Sequence, residues 1–158
     1  MAMFRGATPI ALDGKGRLAI PTKYRDLLMQ RCGGRLVLTL DPSACLLLYP
    51  FPDWEPIEQK LNALPSFDPV SRQMQRLLVG SATDLELDSA GRILLPALLR
   101  ERARIERDAV LLGQGNKFEI WNAAAWQAQC DAVVELPAQI DEAMRRGDLP
   151  EGLKGFSL

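Results

Sequence analysis

One ten-residue pattern occurs twice in this chain, and that duplication narrows the available folds more than any other feature. Leu12-Asp13-Gly14-Lys15-Gly16-Arg17-Leu18-Ala19-Ile20-Pro21 aligns with Leu87-Asp88-Ser89-Ala90-Gly91-Arg92-Ile93-Leu94-Leu95-Pro96, with Leu, Asp, Gly, Arg and Pro identical at a spacing of 75. Arg25-Asp26 and Arg100-Glu101 each follow their proline at the same distance. The register then slips by three, so that Leu48, Tyr49 and Trp54 match Ile120, Trp121 and Trp126. Such self-similarity marks two copies of one supersecondary unit.

Each copy reads as a small β-rich module. In the first, short apolar strands at Thr8 to Leu12 and Arg17 to Ile20 flank an Asp-Gly-Lys-Gly turn, whose glycines tolerate positive φ. Pro21 suits the first turn of a helix running to about Arg31, with Tyr24, Leu27 and Leu28 on one face and Gly33-Gly34 ending it. Strands follow at Leu36 to Leu40 and Leu46 to Tyr49, then a helix from about Asp53 to Leu64. The second copy repeats this order with strands near Thr83 to Leu87, Arg92 to Leu95, Val110 to Leu112 and Phe118 to Trp121. Its helices run from Pro96 to about Arg104 and onward from Asn122, carrying Trp126, Cys130, Val133 and Val134. Asp68-Pro69 signals a connector helix with Val70, Met74, Leu77 and Leu78 as its stripe.

A unit of about 75 residues hides too little surface to be robust alone. Two copies sharing one core are expected instead: a mixed α+β, β-rich fold built as a pseudo-twofold pair. The stretch beyond Pro137, with Gly147, Gly152 and Gly155, reads as a peripheral tail.

Composition removes several function classes. The 158 residues are 47% hydrophobic and 25% charged, an ordinary globular balance. No apolar run approaches the roughly 20 residues of a membrane span, and no export signal opens the chain, so a cytoplasmic location is expected. Cys32, Cys45 and Cys130 form no C-x-x-C pair and read as small buried apolar residues. The chain has no histidine, which removes the commonest general base and metal ligand. No catalytic residue, metal site, cofactor or small-molecule substrate is nominated, and an enzyme is not expected.

The net charge of -1 conceals a polarity. Residues 1–30 hold Arg5, Lys15, Arg17, Lys23 and Arg25 against Asp13 and Asp26, whereas residues 131–158 hold three basic and six acidic side chains. In the repeated turn, Asp13 and Asp88 are expected to accept backbone N–H bonds, and Gly91 to supply positive φ. An arginine can bond that carboxylate and still aim its remaining donors at phosphate or guanine, so Arg17 is expected to touch nucleic acid. Lys15 and Gly16 adjoin it, Lys23 and Arg25 extend the basic surface along the next helix, and Arg5 adds to the basic excess. The second turn keeps Arg92 but replaces Gly14-Lys15 with Ser89-Ala90, and Leu98 stands where the first copy has Lys23. The first turn is therefore the preferred DNA-facing element, and the helix carrying Leu98 is expected to bury more of itself, against the other half or another subunit. Trp54 and Trp126 read as core anchors. Gly113-Gln114-Gly115-Asn116-Lys117 reads as a hairpin turn rather than a phosphate loop.

Met3-Phe4-Arg5-Gly6-Ala7, the block from Leu12 to Arg25, Cys45-Leu-Leu-Leu-Tyr-Pro50 and Gly113-Gln-Gly-Asn-Lys-Phe-Glu-Ile-Trp121 together resemble the MraZ family of bacterial transcriptional regulators. The resemblance runs from Met3 to about Trp126. It implies two AbrB-like swapped-hairpin modules of double-split β-α-β type, at residues 3–66 and 80–136, with a helical connector at 67–79 and the tail at 137–158. It further implies a ring-shaped homo-oligomer in the cytoplasm, associated with the nucleoid. Such a protein would bind direct repeats in promoter double-stranded DNA and repress the division and cell-wall gene cluster, including its own gene. The family's Asp-x-x-x-Arg element falls on Asp13 to Arg17 and on Asp88 to Arg92. The alternative function is an AbrB-like antitoxin or protein-interaction module, although such chains usually carry a disordered partner-wrapping tail.

Overall fold

The computed structural model describes residues 3–156; Met1, Ala2 and the end of the expected tail, Ser157 and Leu158, lie outside the described residues. The chain divides into two compact units, Met1–Ala123 and Ala124–Leu158.

The first unit contains a six-stranded antiparallel sheet and a separate two-stranded ribbon. Its strands are β1 (Phe4–Ala11), β2 (Arg17–Ala19), β3 (Arg35–Leu40), β4 (Leu46–Pro50), β5 (Thr83–Glu86), β6 (Arg92–Leu94), β7 (Asp108–Gly115) and β8 (Phe118–Asn122). The large sheet runs β1-β7-β8-β4-β3-β5, and β2 pairs with β6. Exchanging the copies (β1 with β5, β3 with β7, β4 with β8) maps this order onto itself. The first strand of each copy lies beside the hairpin of the other: β1 pairs with β7, and β5 pairs with β3. The strands flanking each Asp-x-x-Gly-Arg turn thus pair across the duplication and not with each other. This is the swapped-hairpin arrangement.

The strand sequences match these positions. β3 and β4 read as continuous apolar runs and are buried almost throughout, as central strands covered on both faces must be. The edge strands β1 and β5 are partly exposed. Phe4, Leu18, Ile20, Tyr24 and Leu28 of the first copy share one core with Ile93, Leu95, Leu99 and Phe118 of the second. Phe4 stacks on Phe118 with ring centroids 4.3 Å apart, and Tyr24 meets Phe118 edge-on at 5.0 Å.

Helix α1 (Thr22–Cys32) follows Pro21 and stops at Gly33, whose φ of 62° lets its N–H bond the carbonyl of Met29. Helix α2 (Phe51–Asn62) buries Trp54 and Leu61 and is tied to α1 by a two-bond Arg31–Asp53 pair at 2.6 and 2.7 Å. In the connector, Asp68 caps α3 (Pro69–Met74) by accepting from the N–H of Ser71 at 2.8 Å. The helix then widens to a π-turn over Gln75–Val79. There the buried Thr39 hydroxyl donates to the carbonyl of Leu78 at 2.6 Å, satisfying a group the widened turn leaves over. The expected connector stripe is broken at Val70, which is 67% exposed because α3 presents it outward, while Leu78 is buried. Helix α4 (Ala97–Arg102) completes this unit.

The second unit contains the body of α5 (Ala123–Asp131), a 3-10 turn at Ala132–Glu135, α6 (Leu136–Arg146) and a short 3-10 turn at Glu151–Leu153. Much of the stretch read as a tail is therefore helical; Gly147 closes α6 at φ 72°. Two core expectations fail here. Cys130 is exposed and Trp126 only half-buried, since α5 buries no residue fully. Among the described residues, no helix is long and apolar enough to cross a membrane.

Candidate nucleic-acid interface

The two repeated turns have the same internal wiring. In the first, Asp13 Oδ1 accepts from the amides of Lys15 and Arg17, both at 2.9 Å, and Oδ2 accepts from Arg17 Nε at 2.7 Å. In the second, Asp88 Oδ1 accepts from the amides of Ala90 and Arg92 at 2.9 Å, and Oδ2 from Arg92 Nε at 3.0 Å. Gly16 and Gly91 close the turns at φ 84° and 73°, which side chains with a Cβ rarely adopt. The Arg17 amide, aided by its guanidinium and the Lys15 amide, lowers the Asp13 carboxyl from its ordinary 3.8 to about 2. The Arg92 amide is the chief cause of a downward shift at Asp88. Both carboxylates stay ionised and orient their arginines.

Pairing of β2 with β6 decides where those arginines point. Arg17 lies opposite Leu94, Leu18 opposite Ile93 and Ala19 opposite Arg92. Residues two apart on a strand share a face, and directly opposed residues share it too. Leu18 and Ile93 therefore point into the core, at 0% and 1% exposure, while Arg17, Ala19, Arg92 and Leu94 occupy the outer face. Arg17 and Arg92 form a diagonal pair there, a spacing of roughly 7–8 Å between residues in ribbon geometry. Their side chains are 30% and 36% exposed. Among the described residues each bonds its aspartate through Nε alone.

The turns are braced across the duplication. Leu95 N–H donates to the Gly16 carbonyl at 3.0 Å, and Ile20 N–H donates to the Gly91 carbonyl at 2.9 Å. Arg100 lies over Gly16, with Nε donating to Leu95 O at 3.0 Å, and Arg25 lies over Gly91, with Nε donating to Ile20 O at 2.7 Å. Arg25 is thus half-buried and bonded beneath the second turn, rather than free along a helix face. Arg100 is the residue sequence reasoning left out. Its signal was its place four residues after the second proline, matching Arg25.

The other nominated cations lie on the same unit. Lys15 is exposed at the tip of the first turn. Lys23 lies in the first turn of α1 with Nζ 4.9 Å from the Tyr24 ring centroid, and the Tyr24 hydroxyl donates to the carbonyl of Arg5, itself exposed on β1. Leu98 is 60% exposed on α4, so the other repeat of the same chain does not cover it. Among the described residues, no group of three or more acidic or cysteine side chains is placed to hold a metal ion.

Comparison with known proteins adds an independent line. The chain matches the family model described as "MraZ protein, putative antitoxin-like" twice in tandem, over residues 3–77 and 78–147. Curated relatives bearing the name Transcriptional regulator MraZ include those of Nitrosomonas europaea, 53% identical over 156 residues, and Thiobacillus denitrificans, 50% identical over 156 residues. A Pseudomonas aeruginosa relative of the same name is 49% identical over 157 residues. In each case the match covers 99% of this chain and all of the relative.

Proposed function

Since this chain belongs to the MraZ family, we propose that it is a DNA-binding transcriptional regulator that reads promoter DNA with the outer face of the β2–β6 ribbon. One observation carries the reading: Arg17 and Arg92 share that exposed face, each fixed through Nε by an ionised aspartate. A two-stranded ribbon fits the major groove, and an arginine with both Nη groups available can bond the O6/N7 edge of guanine or a phosphate. Lys15 at the turn tip contacts the backbone and sets register, Lys23 on α1 and Arg5 on β1 add further backbone contacts, and Arg25, Asp13, Asp88, Gly16 and Gly91 shape the two turns.

The chain's small net charge is compatible with tight binding when several heads act together. In a ring-shaped homo-oligomer the heads recur at even spacing, suiting direct repeats, and each further contact becomes effectively intramolecular. Bound at the promoter of its own gene and of the neighbouring division and cell-wall genes, such a ring blocks transcription. It works by binding and not by catalysis, in the cytoplasm and on the nucleoid.

The test is a fluorescence-anisotropy titration of the DNA upstream of its own gene, at two salt concentrations, for the wild type and Arg17→Ala. Loss of specific binding with unchanged oligomer size supports the reading. Binding retained in the variant places recognition elsewhere. No specific binding by the wild type favours a protein-interaction role.

A further inference from the structure

The structure contains an apolar groove and an apolar helix face that match each other in charge. The groove, about 560 Å³, lies in the first unit between the π-turn, the start of β5 and α4. Leu77, Ala82, Leu98 and Leu99 form its apolar lining, and Arg76 and Arg102 its cationic part; no acidic side chain lines it. Neither arginine is in an ion pair among the described residues. Leu98 is 60% exposed at the position where the first repeat carries Lys23, so the first repeat has no apolar counterpart of it.

Helix α6 has the complementary character. Leu136, Ile140, Ala143 and Met144 recur at helical spacing and make one stripe, with Ile140 and Ala143 half-buried and Leu136 47% and Met144 60% exposed. Glu135 and Asp141 adjoin it and take part in no ion pair among the described residues, whereas Glu142 is already engaged by Arg145 and Arg146. An amphipathic helix of 11 residues owes most of its stability to packing of its apolar face. Residues 131–158 carry six acidic against three basic side chains, opposite in sign to the groove.

We infer that the groove between the π-turn and α4 takes helix α6 of a second copy of this chain, with Asp141 and Glu135 facing Arg102 and Arg76. One groove and one helix per chain make the contact head-to-tail, which closes into a ring when the rotation allows. The inference rests on the homo-oligomeric reading above and gives it a contact surface.

The test is sedimentation of the full-length protein as wild type, Leu98→Lys, Ile140→Asp, Arg102→Glu, Asp141→Lys, and the double variant Arg102→Glu/Asp141→Lys. The first repeat already tolerates lysine at the position of Leu98. Each single variant is expected to weaken association tenfold or more, with unchanged circular dichroism, and the charge-swapped double variant to regain assembly. If Leu98→Lys or Ile140→Asp fails to fold, the charge-swap set, on exposed residues, carries the test alone. A wild type that is an oligomer indifferent to all these changes overturns the contact while leaving the oligomer standing. A wild type that sediments as one chain overturns the oligomeric reading itself. Loss of DNA binding in Arg102→Glu with assembly intact identifies the groove as a nucleic-acid surface and also overturns the contact.

Discussion

Arg100 of the second repeat lies directly over Gly16 of the first, so close that a Cβ at residue 16 would stand 2.7 Å from its Cζ. Arg25 and Gly91 repeat the relationship with the copies exchanged, the nearest approach being 2.3 Å to Nε. Each turn thus takes its shape from its own aspartate and from an arginine of the other copy, and the two halves of the reading head are mechanically linked.

Gly16→Ala and Gly91→Ala combine a φ that side chains rarely adopt with a contact that displaces the bracing arginine, and each is expected to destabilise the fold by about 1–3 kcal/mol. Gly14→Ala is the control: φ is not positive there and open space surrounds it, so a change within about 0.5 kcal/mol is expected. Urea denaturation of the three variants decides the matter. Combining Gly16→Ala with Arg100→Ala should recover part of the loss, the remainder being backbone strain.

Arg17→Ala is expected to weaken specific DNA binding by about 1–3 kcal/mol, the usual value of a guanine-reading arginine. Because Arg92 shares the face, Arg92→Ala should also lose affinity, though less, since its turn has Ala90 where the first has Lys15. Lys15→Ala should lower the slope of log affinity against log salt by about one, as for a single phosphate contact. Anisotropy titrations across a salt series measure all three.

Acid should loosen the turns in a defined window. The Asp13 carboxyl is depressed in the fold to about 2 from 3.8, so its contribution is complete above the higher value and lost as pH falls towards the lower. Asp88, held down mainly by the Arg92 amide, and Asp68, held down by Ser71, act in the same direction. The unfolding temperature should therefore fall with pH across this range. The double variant Asp13→Asn/Asp88→Asn should show a shallower fall, with a residual slope from Asp68. An unchanged slope would remove the turns as its source.

The three thiols should react in a fixed order. Cys130 is exposed, whereas burial pushes the Cys45 thiol up to about 12 and also raises Cys32. A thiol reagent at neutral pH is expected to modify Cys130 first and Cys45 only on unfolding. Fast modification of Cys45 in the native protein contradicts its placement in the core.

Local chemistry was legible in the amino-acid order. Pro21, Gly33 and Asp68 end or begin helices where their φ preferences and hydrogen-bonding groups require it. The carboxylate-centred turns at Asp13 and Asp88 follow from residues within four positions of one another. The expected burial of Trp126 and Cys130 was not met, because an apolar residue on a helix does not encode what lies opposite it.

By itself the sequence determined the duplication, the shape of each turn and which residues carry charge, since these depend on bonds and contacts between near neighbours. Only the tertiary structure decided that β1 joins the hairpin of the other copy, that Arg17 and Arg92 meet on one face, and that Arg100 braces Gly16. Those outcomes depend on which strand pairs with which across 73 to 111 residues of chain. Such pairing is set by burial of a shared core rather than by local preference.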